Sequence, residues 1–317
     1  MAELLVFSEK TDLAFELVSK SREFTAALNM GLAAALLGEK VGAEAEEYFA
    51  YGADRVYIGE NPALAGFDVE SYAEALYQIV QKNNAKILLI PSTKRGKELA
   101  PRVAQKLGAG CITDATAVEV KDGNFLISRY ALGGNTVAGE VIKTGHKVIT
   151  VMPKTFELGI REGKTGEVVK ADLNLRAPRV RVVGRQEKVG EKVNLEEAEI
   201  LVCVGRGVEK KEDLGMVEQL AKALGAEMGC TKSLCTDYQW LSEDRLVGLS
   251  GKKTNPRLVI SIGISGQIQY AVGIRGARIA VSINKDKQAP IFAISDYGIV
   301  GNLYDVVPLL TEKLKSV

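Results

Sequence analysis

The segment best suited to chemistry is Gly-Ile-Ser-Gly-Gln-Ile-Gln, which contains Ser265, Gly266, Gln267 and Gln269. It lies where an apolar run, LVISIG, gives way to QIQYAVG, whose apolar residues have helical spacing. A junction from strand to helix exposes unpaired backbone N–H groups at the positive end of the helix dipole, which suits a phosphate or another anion. The glycine permits close backbone approach, and the glutamines supply neutral hydrogen bonds. Taken alone, such a stretch is more often an ordinary tight connection.

Similar residue types border other apolar runs in the C-terminal half. Glycine, hydroxyl and amide residues dominate these segments, and bulky charge is scarce. The segments are Gly205–Val208, Gly229–Lys232, Val247–Gly251, Asn284–Asp286 and Asp296–Gly298. In open α/β sheets, ligands bind outside the carboxyl ends of the strands, where the strand order reverses. Several such loops on one side of one sheet therefore predict a ligand pocket.

Common catalytic and nucleotide motifs do not explain these loops. GRGVEK lacks the third glycine of GxGxxG, SGKKT lacks the spacing of a P-loop, and GISG is not GxSxG. The sequence has one histidine, His146, and four cysteines without a CxxC pair, so metal and histidine-based nucleophilic catalysis are poorly supported. The net charge of +1 shows no basic excess of the kind that nucleic-acid-binding proteins carry.

The elements that must position these loops follow from hydrophobic periodicity. Strand and helix patterns alternate in the N-terminal part, change after Gly110 to short strands separated by the turn signals KDGN and GGN, and fade from about Pro153 to Asn194. Alternation then restarts with the strands AEILVCVG, RLVISIG, ARIAVSIN and APIFAIS, which are interleaved with helices. This pattern predicts an α/β protein with two parallel-sheet domains. The expected boundaries are residues 1–190, including a connection from about 153, and residues 191–317.

No membrane span or signal peptide is expected from the sequence. The apolar runs are far shorter than the ~18 residues that a bilayer-spanning helix needs. The first residues, MAELLVFSEK, carry an acidic residue where a signal peptide would be positively charged. We therefore expect a cytoplasmic protein.

Several blocks of the C-terminal half resemble, in order and spacing, the alpha subunit of electron transfer flavoproteins. The blocks are GRGV, VGLSGKK, GISGQIQ, AVSINKD, APIF and DYGIVG followed by LYDVVPLLTE. The resemblance is specific over about Ala198–Lys315 and looser in the N-terminal part, at STKRGKELAPRVAQKLGAGCITDAT and RYALGGN. It implies a heterodimer with a beta subunit, FAD held mainly by the second domain, and a first domain that contacts the partner. It also implies an electron carrier rather than an enzyme that transforms a metabolite.

The resemblance also implies a set of cofactor contacts. Arg206 would meet the FAD diphosphate, Lys232 would lie beside the isoalloxazine, and Ser250 would hydrogen-bond the flavin N5. Residues 247–250 would follow the flavin edge, residues 265–270 would wrap the cofactor, and residues 284 and 302–303 would contact the adenosine side. The full implied set is Arg206, Thr231, Lys232, Val247, Gly248, Leu249, Ser250, Ser265, Gly266, Gln267, Ile268, Gln269, Tyr270, Asn284, Asn302 and Leu303.

Some positions depart from the usual pattern of that family. Tyr270 replaces a histidine near the flavin pyrimidine carbonyl, so it can donate a hydrogen bond there but brings no positive charge. Lys232 replaces an arginine and Asn302 an acidic residue. Leu249 and Ser250 stand where respiratory members have Gln-Thr. In this respect the chain is more similar to branches of the family associated with anaerobic acyl-CoA metabolism. Some of those branches bifurcate electrons with a second FAD in the partner.

The expected function is electron transfer from acyl-CoA dehydrogenases of fatty acid β-oxidation, or from other flavin-linked dehydrogenases, to a redox acceptor. Two alternatives stay open from the residues. One is a nicotinamide-dependent dehydrogenase with an atypical nucleotide loop. The other is a nucleotide-binding regulatory protein without a redox role.

Overall fold

The computed structural model describes residues 1–134, 136–159, 165–178, 180, 183–184 and 193–315. The chain divides into two compact units, Met1–Glu187 and Lys188–Val317. Each unit has its own sheet with helices packed on it. The predicted fold class, α/β with two sheets, is confirmed.

The first unit alternates strands and helices before it changes to consecutive strands. Its strands are β1 (Glu3–Phe7), β2 (Gly31–Gly38), β3 (Arg55–Glu60), β4 (Ala85–Pro91), β5 (Gly110–Lys121), β6 (Asn124–Ala131), β7 (Thr136–Glu140), β8 (Lys147–Val151) and β9 (Glu167–Lys170). Its helices are α1 (Thr11–Leu28), α2 (Ala45–Ala50), α3 (Val69–Lys82) and α4 (Lys94–Leu107).

These strands form one sheet in the order β7-β6-β5-β8-β4-β1-β2-β3-β9. The sheet is parallel except for the antiparallel pairs that β6 makes with β5 and β7, which form the predicted meander. Successive side chains of β1 enter different cores: Leu4 and Val6 pack in one apolar cluster, Leu5 and Phe7 in the other. Strands covered on both faces read as continuous apolar runs, which is why ELLVF shows no polar alternation.

Part of the predicted connection belongs to the first sheet. β9 pairs in parallel with β3, although the low hydrophobicity after Pro153 gave no strand signal there. The sequence also allows a strand within RAPRVRVVGRQE (Arg176–Glu187), but this segment lies in part outside the described residues. At the start of the connection, the buried carboxylate of Glu16 on α1 accepts the backbone N–H groups of Lys154 (3.0 Å) and Phe156 (2.9 Å). Burial raises the pKa of Glu16 in spite of these hydrogen bonds.

The second unit is a five-stranded parallel sheet in the order β11-β10-β12-β13-β14. Its strands are β10 (Ile200–Val204), β11 (Glu227–Cys230), β12 (Leu258–Ile262), β13 (Ile279–Asn284) and β14 (Tyr297–Val300). Its helices are α5 (Leu214–Leu224), α6 (Ile268–Ile274) and α7 (Leu303–Lys315).

Two elements of this unit differ from the prediction. The strand expected at APIFAIS is a 3-10 turn over Pro290–Ile294, because a proline at the first position has no N–H for a ladder and favours a helical start. The edge strand β14 comes after this turn instead. β11 was not predicted, since its four residues include Gly229 and are too short to show a period; pairing with β10 defines it. Within the described residues, no helix is both long and apolar enough to cross a membrane.

Candidate functional site

A crevice opens at the carboxyl ends of β10 and β12. β10 pairs with β11 on one side and with β12 on the other. The chain therefore runs from β10 to one side of the sheet and returns from β11 to the other side of β10, so the strand order reverses here. Reversal of strand order leaves a gap between the flanking loops, where open α/β sheets bind ligands. A cavity of about 650 Å³ lies at this point of the second unit.

Most of the predicted cofactor-binding residues line this cavity. They are Arg206, Thr231, Lys232, Val247, Gly248, Leu249, Ser250, Ser265, Gln267, Gln269, Tyr270 and Asn284. Residues that the prediction did not include also line it: Gly205, Gly207, Ser233, Tyr238, Leu246, Gly263 and Ile264. Gly205 and Gly263 directly follow the ends of β10 and β12, and Gly207 lies in the same loop as Gly205, so all of these glycines could have been added on that signal alone. Their grouping in one cavity agrees with the loop positions, while cofactor contact stays a prediction.

Four predicted residues do not line the cavity. Gly266 is buried behind the loop, and Ile268 is partly exposed at the start of α6. Leu303 is buried in the core beneath α7. Asn302 accepts, through Oδ1, the backbone N–H of Tyr304 (3.1 Å), so its side chain engages the first turn of α7. The contact of Asn302 and Leu303 with a cofactor stays a prediction.

Glycines bring two of the loops into direct contact at the base of the crevice. The Gly207 N–H donates to the Gly263 carbonyl (2.9 Å). A Cβ atom at Gly207 would lie 2.5 Å from the Gly263 Cα, and one at Gly205 would lie 2.7 Å from the Gly263 oxygen. Larger residues would separate the loops, so the two glycines that flank the exposed Arg206 fix where its side chain leaves the backbone.

The loop over residues 247–252 is attached to α6. The Leu249 N–H donates to the Gln269 carbonyl (2.7 Å), and the Gly248 N–H donates to the Lys252 carbonyl (3.0 Å). Gly248 has φ of 138°, and a Cβ there would lie 2.3 Å from the Gln269 oxygen, so this position requires glycine. The tight turn leaves Ser250 exposed at the rim of the cavity.

The segment that opened the sequence analysis is a turn followed by a short helix. Gly266 has φ of 87°, and the Ile291 N–H donates to the Ser265 carbonyl (3.0 Å), which fixes the turn against the 3-10 segment. The exposed residues Gln267 and Gln269 line the cavity at the start of α6. The predicted hand-over from strand to helix is therefore present, and α6 begins at Ile268.

Tyr270 is placed differently from the expectation that its phenol would donate into the pocket. The residue is 5% exposed, and its hydroxyl is 2.8 Å from the Ser261 Oγ on β12. Burial raises the pKa of the Tyr270 hydroxyl well above its ordinary value, and the neighbouring Cys203 thiol adds to this effect. The hydroxyl therefore joins α6 to the sheet, and it is the remainder of the residue that contributes to the cavity wall.

Asn284 holds two loops rather than presenting a free amide. Its Nδ2 donates to the Ile264 carbonyl (2.8 Å), and its Oδ1 accepts the Asp286 N–H (2.9 Å). These bonds tie the loop after β13 to the loop after β12. The side chain thus fixes the floor of the crevice on the side of β13.

The electrostatic character of the cavity is positive. Arg206 and Lys232 are exposed cations of its lining, and no carboxylate residue is among the described residues that line it. Within the described part of the chain, neither cation forms an ion pair. The Thr231 Oγ1 is a buried oxygen without a hydrogen-bond partner there. Two cations without counter-ions and an unsatisfied hydroxyl suit an anionic ligand with hydrogen-bonding groups.

Comparisons with known protein families match both halves of the chain. A family model described as the electron transfer flavoprotein domain matches residues 5–175. A second model, described as the electron transfer flavoprotein FAD-binding domain, matches residues 194–275. The second match contains most of the cavity lining.

Individual relatives agree with these models over nearly the whole chain. An electron transfer flavoprotein subunit alpha of Thermoanaerobacterium thermosaccharolyticum is 33% identical over 99% of this chain and 98% of its own length. The corresponding subunit of Bacillus subtilis is 35% identical over 89% of this chain and 86% of its own. The LctC subunit of the lactate dehydrogenase (NAD(+),ferredoxin) of Acetobacterium woodii is 35% identical over 96% of this chain and 73% of its own.

Proposed function

This chain belongs to the electron transfer flavoprotein family as an alpha subunit, and on that premise we propose that its second unit binds FAD in the cavity between β10 and β12. The protein then transfers electrons between a flavin-linked dehydrogenase and a redox acceptor. A flavin-binding domain family covers residues 194–275, which include both strands of the crevice.

The observation that carries this proposal is the unpaired positive charge at the crevice. Arg206 and Lys232 line the cavity, and the described residues place no carboxylate in its lining, so a diphosphate would supply the counter-charge. Arg206 leaves the backbone between two glycines, which lets phosphate oxygens approach both its guanidinium and the loop. A nicotinamide dinucleotide also carries a diphosphate, but this sequence lacks the GxGxxG fingerprint of nicotinamide dinucleotide sites. Its single histidine, His146, lies in the first unit and does not line the cavity.

Neutral groups line the rest of the cavity. We assign the hydroxyls of Thr231 and Ser250 and the amides of Gln267 and Gln269 to hydrogen bonds with polar edges of the cofactor. When bound, FAD supplies a ring that accepts and donates electrons. The residues of this chain orient that ring, adjust its potential through neutral hydrogen bonds, and place Lys232 as a positive charge near it. No residue is assigned to proton transfer with a metabolite.

The expected partner is a beta subunit, with which alpha subunits of this family normally pair. We propose that the first unit contributes to that heterodimer and that acyl-CoA dehydrogenases are among the electron donors. A second arrangement is favoured by one relative: the A. woodii protein is a subunit of a lactate dehydrogenase whose name includes both NAD(+) and ferredoxin. On that model, this chain would work in a bifurcating complex with a second FAD in the partner.

Co-expression with the beta subunit followed by cofactor extraction tests the proposal. The purified complex should be yellow, release FAD on denaturation, and bleach and recover reversibly in an anaerobic dithionite titration. One flavin per heterodimer favours simple electron transfer, and two favour bifurcation. A complex that binds only a nicotinamide dinucleotide, or a nucleotide without redox activity, would refute the proposal.

The variant Arg206→Ala tests the site itself. A hydrogen bond to a charged group contributes about 1.5–3 kcal/mol, and because Arg206 is exposed we expect the lower end, about a 10-fold weaker affinity for FAD. Arg257→Ala is the matched control, since Arg257 is also exposed but directly precedes β12, at the amino end of that strand, and does not line the cavity. Equal affinities of the two variants would exclude the diphosphate role of Arg206.

A further inference from the structure

An aromatic pair borders the cavity on the wall formed after β11. Tyr238 lines the cavity and is 48% exposed, a large fraction for a tyrosine that faces a pocket. Its ring centroid lies 5.0 Å from that of Trp240, at an interplanar angle of 36°. Trp240 is the one tryptophan of the chain, and it packs on the apolar core of the second unit. The Trp240 ring is therefore partly buried on the core, and the Tyr238 ring that packs against it belongs to a residue of the cavity lining.

The backbone holds this pair in place. A π-helical turn over Ser233–Asp237 ends with the Tyr238 N–H donating to the Ser233 carbonyl (2.9 Å). Gln239 then adopts φ of 54°, a left-handed conformation that reverses the chain and brings the flanking aromatic residues to the same side. The Trp240 N–H donates to the Leu234 carbonyl (2.8 Å), which fixes the reversal. Such a conformation is unfavourable for a residue other than glycine, so the local chain geometry is determined by its surroundings.

The Tyr238 side chain is held by ring contact rather than by its hydroxyl. Within the described residues, the hydroxyl has no hydrogen-bond partner. A half-exposed ring, packed at a tilt against a partly buried indole, presents an apolar and polarisable surface at low entropic cost, because a tyrosine side chain has only two rotatable χ angles. Planar heterocycles bind on such surfaces by offset stacking.

We propose that Tyr238, supported by Trp240, is a stacking platform for a planar ring of the bound cofactor. The proposal rests on the FAD function proposed above and adds a residue that neither the family resemblance nor the loop pattern assigns. Arg206 and Lys232 supply charge for the diphosphate, and the Tyr238 face supplies the apolar contact that a heterocycle needs. FAD has two such rings, flavin and adenine, and both have the required chemistry.

The test uses the heterodimer with its beta subunit, freed of flavin and titrated with FAD. Aromatic pairs contribute enough that Tyr238→Ala should weaken FAD affinity by about 2- to 10-fold, whereas Tyr238→Phe should bind normally because it retains the ring. Tyr297→Ala is the matched control: the sequence analysis grouped Asp296–Gly298 with the pocket loops, but these residues do not line the cavity, and Tyr297 is 65% exposed at the start of the edge strand β14. Titration with riboflavin and with ADP identifies the stacked ring, since only the ligand containing that ring should lose affinity.

The outcomes separate this inference from the proposed function. If wild-type protein binds no flavin, the proposed function is wrong. If wild-type protein binds FAD but Tyr238→Ala binds it with equal affinity and the same visible absorption spectrum, the platform is wrong and the FAD site stands. Loss of heterodimer assembly in Tyr238→Ala, measured by size-exclusion chromatography, would instead make Tyr238 a subunit contact and would also overturn the inference.

Discussion

Replacing Thr231 by valine is expected to stabilise the protein without flavin and to weaken its affinity for FAD. The Thr231 Oγ1 is buried and has no hydrogen-bond partner in the described part of the chain, and Thr231 is one of the residues that line the cavity. Valine has nearly the same shape but no hydroxyl. In the protein without flavin, the substitution therefore removes an unsatisfied polar group. In the protein with FAD bound, it removes a contact with the cofactor.

The magnitude follows from the burial of that oxygen. An unsatisfied buried polar group costs about 1–3 kcal/mol, and the lower end applies because Thr231 as a residue is only half-buried. A gain of about 1 kcal/mol raises the melting temperature by roughly 2–4 °C in a protein of this size. A neutral hydrogen bond to the cofactor contributes about 0.5–1.5 kcal/mol, so FAD affinity should fall about 2- to 10-fold.

Calorimetry of the deflavinated heterodimer and FAD titration measure the two effects. Thr254→Val is the control, because Thr254 is 2% exposed and its Oγ1 already donates to the Gly273 carbonyl (2.9 Å). That variant should lose stability by about 1 kcal/mol, since it gives up a satisfied hydrogen bond. If Thr231→Val lowers the melting temperature as Thr254→Val does, the Thr231 hydroxyl has a partner within the protein and the reasoning is refuted.

Three further substitutions test the surrounding structure. Gly266→Ala should lower the free energy of unfolding, measured in denaturant, by more than about 2 kcal/mol, because at φ of 87° the new Cβ would lie 2.2 Å from the backbone nitrogen of Ile291. Gly225→Ala is the control, at φ of 61° with open space around it, and should lower it by only about 1 kcal/mol. Equal losses would exclude the steric argument. Tyr270→Phe should be less stable than the double variant Tyr270→Phe/Ser261→Ala, because the single change leaves a buried serine hydroxyl unpaired, and the opposite order would contradict the internal role of the Tyr270 hydroxyl. Burial raises the pKa of Glu16 in the folded protein, so the contribution of Glu16 to stability is full below the pKa of the unfolded chain and is lost as pH rises through the folded pKa. The stability of wild type relative to Glu16→Gln should therefore fall from about pH 4 towards neutrality. A difference that stays flat or rises would show that burial does not destabilise the carboxylate.

The sequence predicted the architecture well because periodicity reports burial directly. Continuous apolar runs such as ELLVF and LVISI mark strands that are covered on both faces, and both are strands here. Short elements without a full period were missed or wrong, as at β11, β9 and the Pro290 turn. β9 and β11 are defined by pairing with a neighbouring strand, and the 3-10 turn is started by one proline. A hydrophobic period over several residues reveals neither.

The loop composition of the second unit also predicted a pocket. Residues that follow parallel strands lie together at the carboxyl ends of the strands, so polar residues and glycines after several strands are brought close to one another. It could not assign the direction of each side chain. Tyr270 looked like a donor to a ligand and instead bonds to Ser261 in the core. Asn302, expected at the adenosine, is engaged with the start of α7.

The sequence by itself determined the fold class, the loops that surround the crevice and the absence of the common nucleotide motifs. Only the tertiary structure decided that Arg206 and Lys232 lie in one cavity, that among the described residues this cavity has no carboxylate and the Thr231 oxygen no partner, and that the Tyr238 ring packs against Trp240. The physical reason is that residue type and spacing are local properties. Burial, charge pairing and ring contact depend on which distant segments the sheet brings together.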